Sequence, residues 1–230
     1  MGVQSSFGFT LGRMEKGRLN KITDVPGVRV GHVTRHEGDI NTGVTAILPH
    51  TGDMFHDKCP AASHVINGFG KSIGLVQVNE LGTIETPLLL TNTLSVGTAA
   101  TALVKYMLER NADIGCDTGT VNPMVFECND GHLNDIRGLH VTEQNALDAL
   151  ANAADDFEEG AVGAGSGMSC YSLKGGIGSA SRVFELYGNK YTVGALLLTN
   201  FGTLRDLTIG GERVGERLYQ KKEAEKAAAE

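Results

Sequence analysis

Two short stretches hold the residue types that could do chemistry. The first is Leu198-Thr199-Asn200-Phe201-Gly202, where an apolar run that begins at Tyr191 stops and a side-chain amide follows. A buried strand ending in Asn-x-Gly can hold that amide rigidly at the rim of a core. A fixed N–H donor there suits one arm of an oxyanion hole. Asn and Gly also favour turns, so Asn200 taken alone reads first as a turn residue. The second stretch is Met124-Val125-Phe126-Glu127-Cys128-Asn129-Asp130-Gly131, again an apolar piece running into polar groups. Glu127 is either a solvated carboxylate or a cation-binding group beside a pocket. Asp130-Gly131 is a turn signal.

Other patterns carry less. His132 and His140 are eight apart with no matching acid, and Cys59, Cys116, Cys128 and Cys170 show no Cys-x-x-Cys spacing, so no metal is expected. Gly68-Phe69-Gly70-Lys71 lacks the spacing of a phosphate-binding loop. Ser95-Val96-Gly97 lacks the Gly-x-Ser-x-Gly pattern of a nucleophile elbow, which leaves Thr93 or Ser95 as a helix cap. No cofactor is called for.

The elements that must position these groups follow from periodicity. Asp24-Val25-Pro26-Gly27 is a turn, and Val28–Thr34 alternates as a half-buried strand does. Thr42–Leu48 is its hairpin partner across a polar connection at 35–41. Pro60–Ile66 could open a short helix with Pro60 in first position. Leu75–Val78 and Thr86–Leu90 are strand candidates. Leu94–Glu109 is the clearest helix, with Val96, Ala99, Ala100, Leu103, Val104, Met107 and Leu108 on one stripe. Thr142–Asp155 is a second helix capped by Thr142, and the acid run Asp155–Glu159 is expected as a solvated loop. Met168–Leu173 and Arg182–Leu186 are read as strands around a glycine turn, and Val193–Thr199 completes the sheet. Residues 1–20 read as a mobile leader and 212–230 as a C-terminal helix.

Composition bounds the classes. The 230 residues suit one large domain and an ample core. The 31 glycines are dispersed, which excludes a collagen-like repeat and fits tight turns in a strand-rich chain. A net charge of -7 with scattered Lys and Arg excludes a nucleic-acid partner. The apolar runs are too short to span a membrane. Met1–Leu11 shows no basic region followed by an apolar core, so no signal peptide is read and a cytoplasmic location is expected.

Taken in order, these pieces resemble the β-aminopeptidase family, which includes the L-aminopeptidase/D-esterases, within the wider group of ornithine acetyltransferase-like folds. The motifs are Ile22–His32, Glu85–Thr93 with Val96-Gly97, Pro123–Gly131 with Leu133-Asn134-Asp135, Gly163–Met168, Lys174–Arg182 and Asn200-Phe201-Gly202. The likeness implies an α/β fold, a four-layer α/β/β/α sandwich completed by a second chain. It implies a self-cleaving precursor whose second chain begins with a nucleophilic Ser. This chain resembles the first, larger product, and the likeness implies a tetramer of two-chain protomers. By the same likeness Asn200 supplies an oxyanion donor, Glu127 pairs with the substrate's free ammonium, and Asn129 and Gly131 line the pocket. The expected activity is release of N-terminal residues, including β- or D-amino acids, from short peptides, amides or esters. Acyl transfer of the ornithine acetyltransferase type and a non-catalytic subunit are the alternatives.

Overall fold

The computed structural model describes residues 12–228. Its strands are β1 (Arg29–Glu37), β2 (Ile40–Leu48), β3 (Cys59–Pro60), β4 (Thr83–Ile84), β5 (Leu88–Asn92), β6 (Met124–Cys128), β7 (Ser169–Cys170), β8 (Leu173–Lys174), β9 (Ile177–Leu186) and β10 (Asn189–Leu198). The helices are α1 (Leu75–Leu81), α2 (Val96–Leu108), α3 (Glu143–Ala151) and α4 (Val214–Ala227). None of them is long and apolar enough to cross a membrane.

A four-stranded sheet in the order β1-β2-β5-β6 forms the centre. The first two pairings are antiparallel and β5–β6 is parallel, with α2 as the crossover between them. Alternate residues of this sheet face two cores. Val44, Ala46, Leu89 and Val125 pack with Ala99, Ala102 and Leu103 of α2 and with Ala146, Ala149 and Leu150 of α3. On the opposite face Val30, Ile47, Leu90 and Phe126 pack with Ile177 of β9 and with Leu196 and Leu198 of β10. Burial on both faces explains why Leu88–Leu90 reads as an unbroken apolar run. The described residues therefore stack as three layers: helices, the central sheet, and the β9–β10 hairpin.

Several expectations are corrected. The strand at Tyr191–Gly202 is not buried in this chain. It ends at Leu198 and exposes alternate residues, with Val193 58% and Leu197 53% accessible. Only its even-numbered face meets the core. The outer face pairs Tyr191 with Phe184, Val193 with Arg182, Ala195 with Ala180 and Leu197 with Gly178. Among the described residues the far edge of β10 forms no strand pairing.

The glycine tract does not turn at Gly175–Gly178. The chain passes extended through Gly178 within β9, and the turn lies earlier, between β7 and β8, where Tyr171 and Ser172 adopt φ of 52° and 57°. The glycines serve close approach instead. A Cβ on Gly176 would fall 2.2 Å from the Gly160 carbonyl oxygen. Lys174 ties the tract down: its ammonium donates to the carbonyls of Gly165, Met168 and Gly175 at 3.0, 3.0 and 2.8 Å.

Leu75–Val78 belongs to a helix, not a strand. Gly82, at φ 66°, donates to the Val78 carbonyl and closes that helix, while Val76 is left 85% exposed. Pro60 opens no helix; it sits extended opposite Thr83. The β1–β2 hairpin needs no long connection, since Glu37 pairs with Ile40 and only Gly38-Asp39 turn. The second helix stops at Ala151, because Ala154 pairs with Val30 at the edge of β1. Its cap is as expected, a reciprocal pairing of Thr142 with Asn145.

The acid run is partly built in. Asp156 pairs with Lys21 at 2.5 Å, Phe157 is buried, and Glu159 accepts the Ser179 N–H at 2.6 Å. Of the expected leader, residues 1–11 lie outside the described residues, but its end is packed. Glu15 bridges to Val183, and buried Asn20 accepts from Arg182 at 2.9 Å.

Candidate active site

Two strands from different layers bring the sequence-predicted groups to one rim. β6 continues through Cys128 into Asn129, and β10 continues through Thr199 into Asn200. They meet where the Cys128 thiol lies 3.6 Å from the Leu198 carbonyl oxygen. One step further, the Asn200 side-chain amide donates to the Asn129 carbonyl at 3.2 Å. That bond uses one amide hydrogen and leaves the other free to face solvent or a substrate. The next residue is fixed as well. The Phe201 carbonyl accepts the Tyr171 N–H at 2.8 Å, and the two rings pack edge to face at 5.1 Å. Asn200 is thus exposed yet mounted next to the anchored Phe201.

Of the two expected pocket residues, Asn129 bonds Asn200 directly, while Gly131 is tied to Asn129 and not to Asn200. The Asn129 side chain turns back to accept the Gly131 N–H at 2.9 Å, so its carbonyl, not its amide, faces Asn200. Glu127 precedes Asn129 by two residues, about 7 Å along an extended chain. It is half-buried, not a freely solvated carboxylate. One of its oxygens accepts the Lys71 N–H at 3.0 Å and the other accepts the Thr93 hydroxyl. The Lys71 ammonium looks elsewhere, donating to the Phe69 carbonyl at 2.5 Å and lying over the Phe69 ring. Among the described residues no Lys, Arg or His forms an ion pair with Glu127. The rim therefore presents an immobilised amide donor beside a carboxylate that no cation of the described chain answers.

A buried network lies beneath it. Asp130 is 1% exposed. Its carboxylate accepts the Thr42 hydroxyl at 2.6 Å and the Asn134 amide at 3.0 Å. Asn92 donates to the Thr42 hydroxyl oxygen at 2.9 Å. Its own amide oxygen accepts the N–H groups of Leu94 and Ser95 at 3.1 Å each, so Asn92 caps the turn leading into α2. The expected caps, Thr93 and Ser95, do not serve: Thr93 is held by Glu127, and the buried Ser95 hydroxyl has no protein partner. A cap of this kind contributes about 1 kcal/mol. Sequence reasoning missed Thr42, Asn92 and Asp130 as a unit, since their partners are tens of residues apart. Thr42 sits between Asn41 and Gly43 near the start of β2, where no local pattern marks it.

The electrostatics narrow the chemistry. Burial pushes the Asp130 carboxyl above its ordinary value, against the lowering effect of its two donors. Burial, with the Glu127 and Cys170 charges, pushes the Cys128 thiol up to about 11, so it stays protonated and is a poor nucleophile. Among the described residues no group of three or more His, Cys, Asp or Glu could hold a metal ion. A fixed amide donor can stabilise an anion, and a fixed carboxylate can take a cation.

Comparison with known proteins finds relatives over most of this chain. A beta-peptidyl aminopeptidase of Sphingosinicella microcystinivorans is 41% identical over 215 residues, spanning 89% of this chain and 53% of that protein. The PH0078 protein from Pyrococcus horikoshii OT3 superposes with a TM-score of 0.93 at 55% identity, over 95% of this chain and 64% of that one. The L-aminopeptidase D-Ala-esterase/amidase from Ochrobactrum anthropi, whose structure is a variant of the Ntn-hydrolase fold, superposes with a TM-score of 0.84 at 38% identity, over 90% of this chain and 60% of that one. The chain spans about half the length of the curated relatives it matches. Its mixed α/β layers match that fold, and residues 20–229 match Peptidase family S58: the chain belongs to this family of peptidases.

Proposed function

We propose that this chain is the larger part of a two-chain serine aminopeptidase that releases N-terminal residues from short peptides, amides and esters. The observation that carries the reading is the Asn200 amide, bonded to Asn129, two residues along the chain from a Glu127 carboxylate that pairs with no cation among the described residues. A substrate with a free amine would place its ammonium on Glu127. Its scissile carbonyl would then lie toward Asn200. Charge-assisted contact at the first point selects unblocked N-termini.

The nucleophile is the N-terminal Ser of a companion chain from the same precursor. Its own α-amine takes the hydroxyl proton as oxygen attacks the carbonyl, so no His–Asp pair is needed. The oxyanion that forms is stabilised by the free Asn200 N–H, one such donor being worth about 3 kcal/mol. The ammonium then protonates the leaving amine. Water, deprotonated by the same amine, releases the acyl group.

The open surface of β10 supports a companion. The β9–β10 hairpin has one face on the core and a second, apolar face carrying Tyr191, Val193, Ala195 and Leu197, with no strand on its far edge among the described residues. A groove of about 510 Å³ runs beside it between Leu197, Thr199, Tyr171 and Leu207. A fourth layer of helices on that face would complete an α/β/β/α sandwich and cover the apolar stripe.

The full gene product is expected to hydrolyse L-alanyl and β-alanyl p-nitroanilides and a D-alanyl ester, and to leave the N-acetylated forms intact. Equal hydrolysis of blocked and free substrates, or none of any aminoacyl substrate, would overturn the reading.

A further inference from the structure

We infer that Asp130 is a positioning residue: its buried carboxylate, clamped by Thr42 and Asn134, fixes the Asn129 carbonyl that orients the Asn200 amide. The inference rests on the proposed role of Asn200 and goes beyond it.

The geometry is continuous. Asn129 and Asp130 are neighbours, so the peptide unit that carries the Asn129 carbonyl is bonded directly to Asp130. Asp130 can move only if the bonds to Thr42 at 2.6 Å and Asn134 at 3.0 Å break. Both partners are themselves fixed. Thr42 is 1% exposed in β2 and accepts from Asn92 at 2.9 Å. Asn134 accepts the Asn41 N–H at 2.9 Å, which sets which end of its amide faces Asp130. The Asp130 carbonyl also accepts the N–H groups of Leu133 and Asn134, closing the turn from the other side. Asn92 links the clamp to Glu127 as well, because its neighbour Thr93 donates to that carboxylate. A buried carboxylate with two neutral donors and no cation among the described residues is an expensive way to hold a turn. Its position directly behind the Asn129 carbonyl gives it a reason to be there.

The donor pattern dictates the test. Asp130 accepts from both partners. In Asp130→Asn one carboxylate oxygen becomes an NH2: facing Asn134 it meets a donor, and facing Thr42 it turns the hydroxyl into an acceptor and leaves the hydroxyl proton without its partner, so one clamp bond is lost in either orientation. Adding Asn134→Asp reverses the polarity of the bond between residues 130 and 134: residue 130 then donates to residue 134, which still accepts from Asn41, while Thr42 still donates to residue 130. Each of these three bonds again has one donor and one acceptor.

The variants are made in the full gene product and compared per cleaved, folded protomer on a free-amine p-nitroanilide. Asp130→Asn is expected to lower kcat by about ten- to a hundredfold, as a misplaced catalytic group does, with KM changed less than twofold. The double exchange Asp130→Asn with Asn134→Asp is expected to recover most of the loss. Should Asp130→Asn fail to fold, Thr42→Val, which removes one of the two donors, must show the same selective fall in kcat. Full kcat in the folded single variant, or a double exchange no better than the single, overturns the inference. Asn200→Ala is measured alongside. If it loses turnover while Asp130→Asn does not, only the positioning role fails. If Asn200→Ala keeps full turnover, the oxyanion reading fails and the positioning role with it.

Discussion

Asn200→Ala is expected to reduce kcat by about a hundred- to a thousandfold and to leave KM within a few-fold of the parent. The argument is geometric. The side chain hangs from the end of β10, and the bond from its amide to the Asn129 carbonyl fixes where the remaining N–H points. A donor that needs no reorganisation at the moment of reaction acts on the charge that develops in the transition state, and losing one costs about 2.7–4 kcal/mol. Because the ground-state carbonyl carries far less charge, the loss falls on turnover more than on binding. Stopped or steady-state kinetics on an alanyl p-nitroanilide measure it directly. Unchanged turnover would return Asn200 to the turn role that its sequence context first suggests.

Glu127→Gln carries the second large effect. A hydrogen bond to a charged group contributes about 1.5–3 kcal/mol, so kcat/KM for a free-amine substrate is expected to fall by about ten- to a hundredfold. The control is built into the chemistry. Glu127 also holds Lys71 and Thr93 through its two oxygens, and an amide can accept at only one of them. Some loss through the displaced Gly70–Lys71 backbone would touch any substrate. The comparison is therefore with a substrate whose amine is replaced by a neutral group of the same size, where only that general loss should remain. Equal losses on both substrates would argue against an ammonium contact.

Much of the scaffold was legible because burial left periodic marks. α2 showed its stripe, with Val96, Ala99, Leu103 and Met107 all buried. β2 and β5 read as apolar because both faces of the sheet are covered. What misled were local signals decided by distant partners. Leu75–Val78 looks like a strand in four letters, yet the glycines on either side of α1 settle it as a helix. The glycines at 175–178 looked like a turn, while their lack of side chains serves the contact between Gly176 and Gly160.

The site divides the same way. Asn200 and Glu127 could be singled out as polar groups where apolar runs stop, and the family likeness assigned them roles. Asp130 could not be found so. Asp-Gly reads as an exposed turn, whereas the Thr42 hydroxyl that buries it lies 88 residues earlier. The strand from Tyr191 misled for another reason: its apolar face is complete in sequence, but only half of it meets a partner among the described residues.

The central claim is that this chain carries the oxyanion donor and the ammonium-binding carboxylate, while a companion chain carries the nucleophile. Intact-mass and N-terminal analysis of the purified full gene product tests it most directly. Two chains are predicted, the larger containing this sequence and the smaller beginning with Ser. A single uncut chain with full aminopeptidase activity would contradict it.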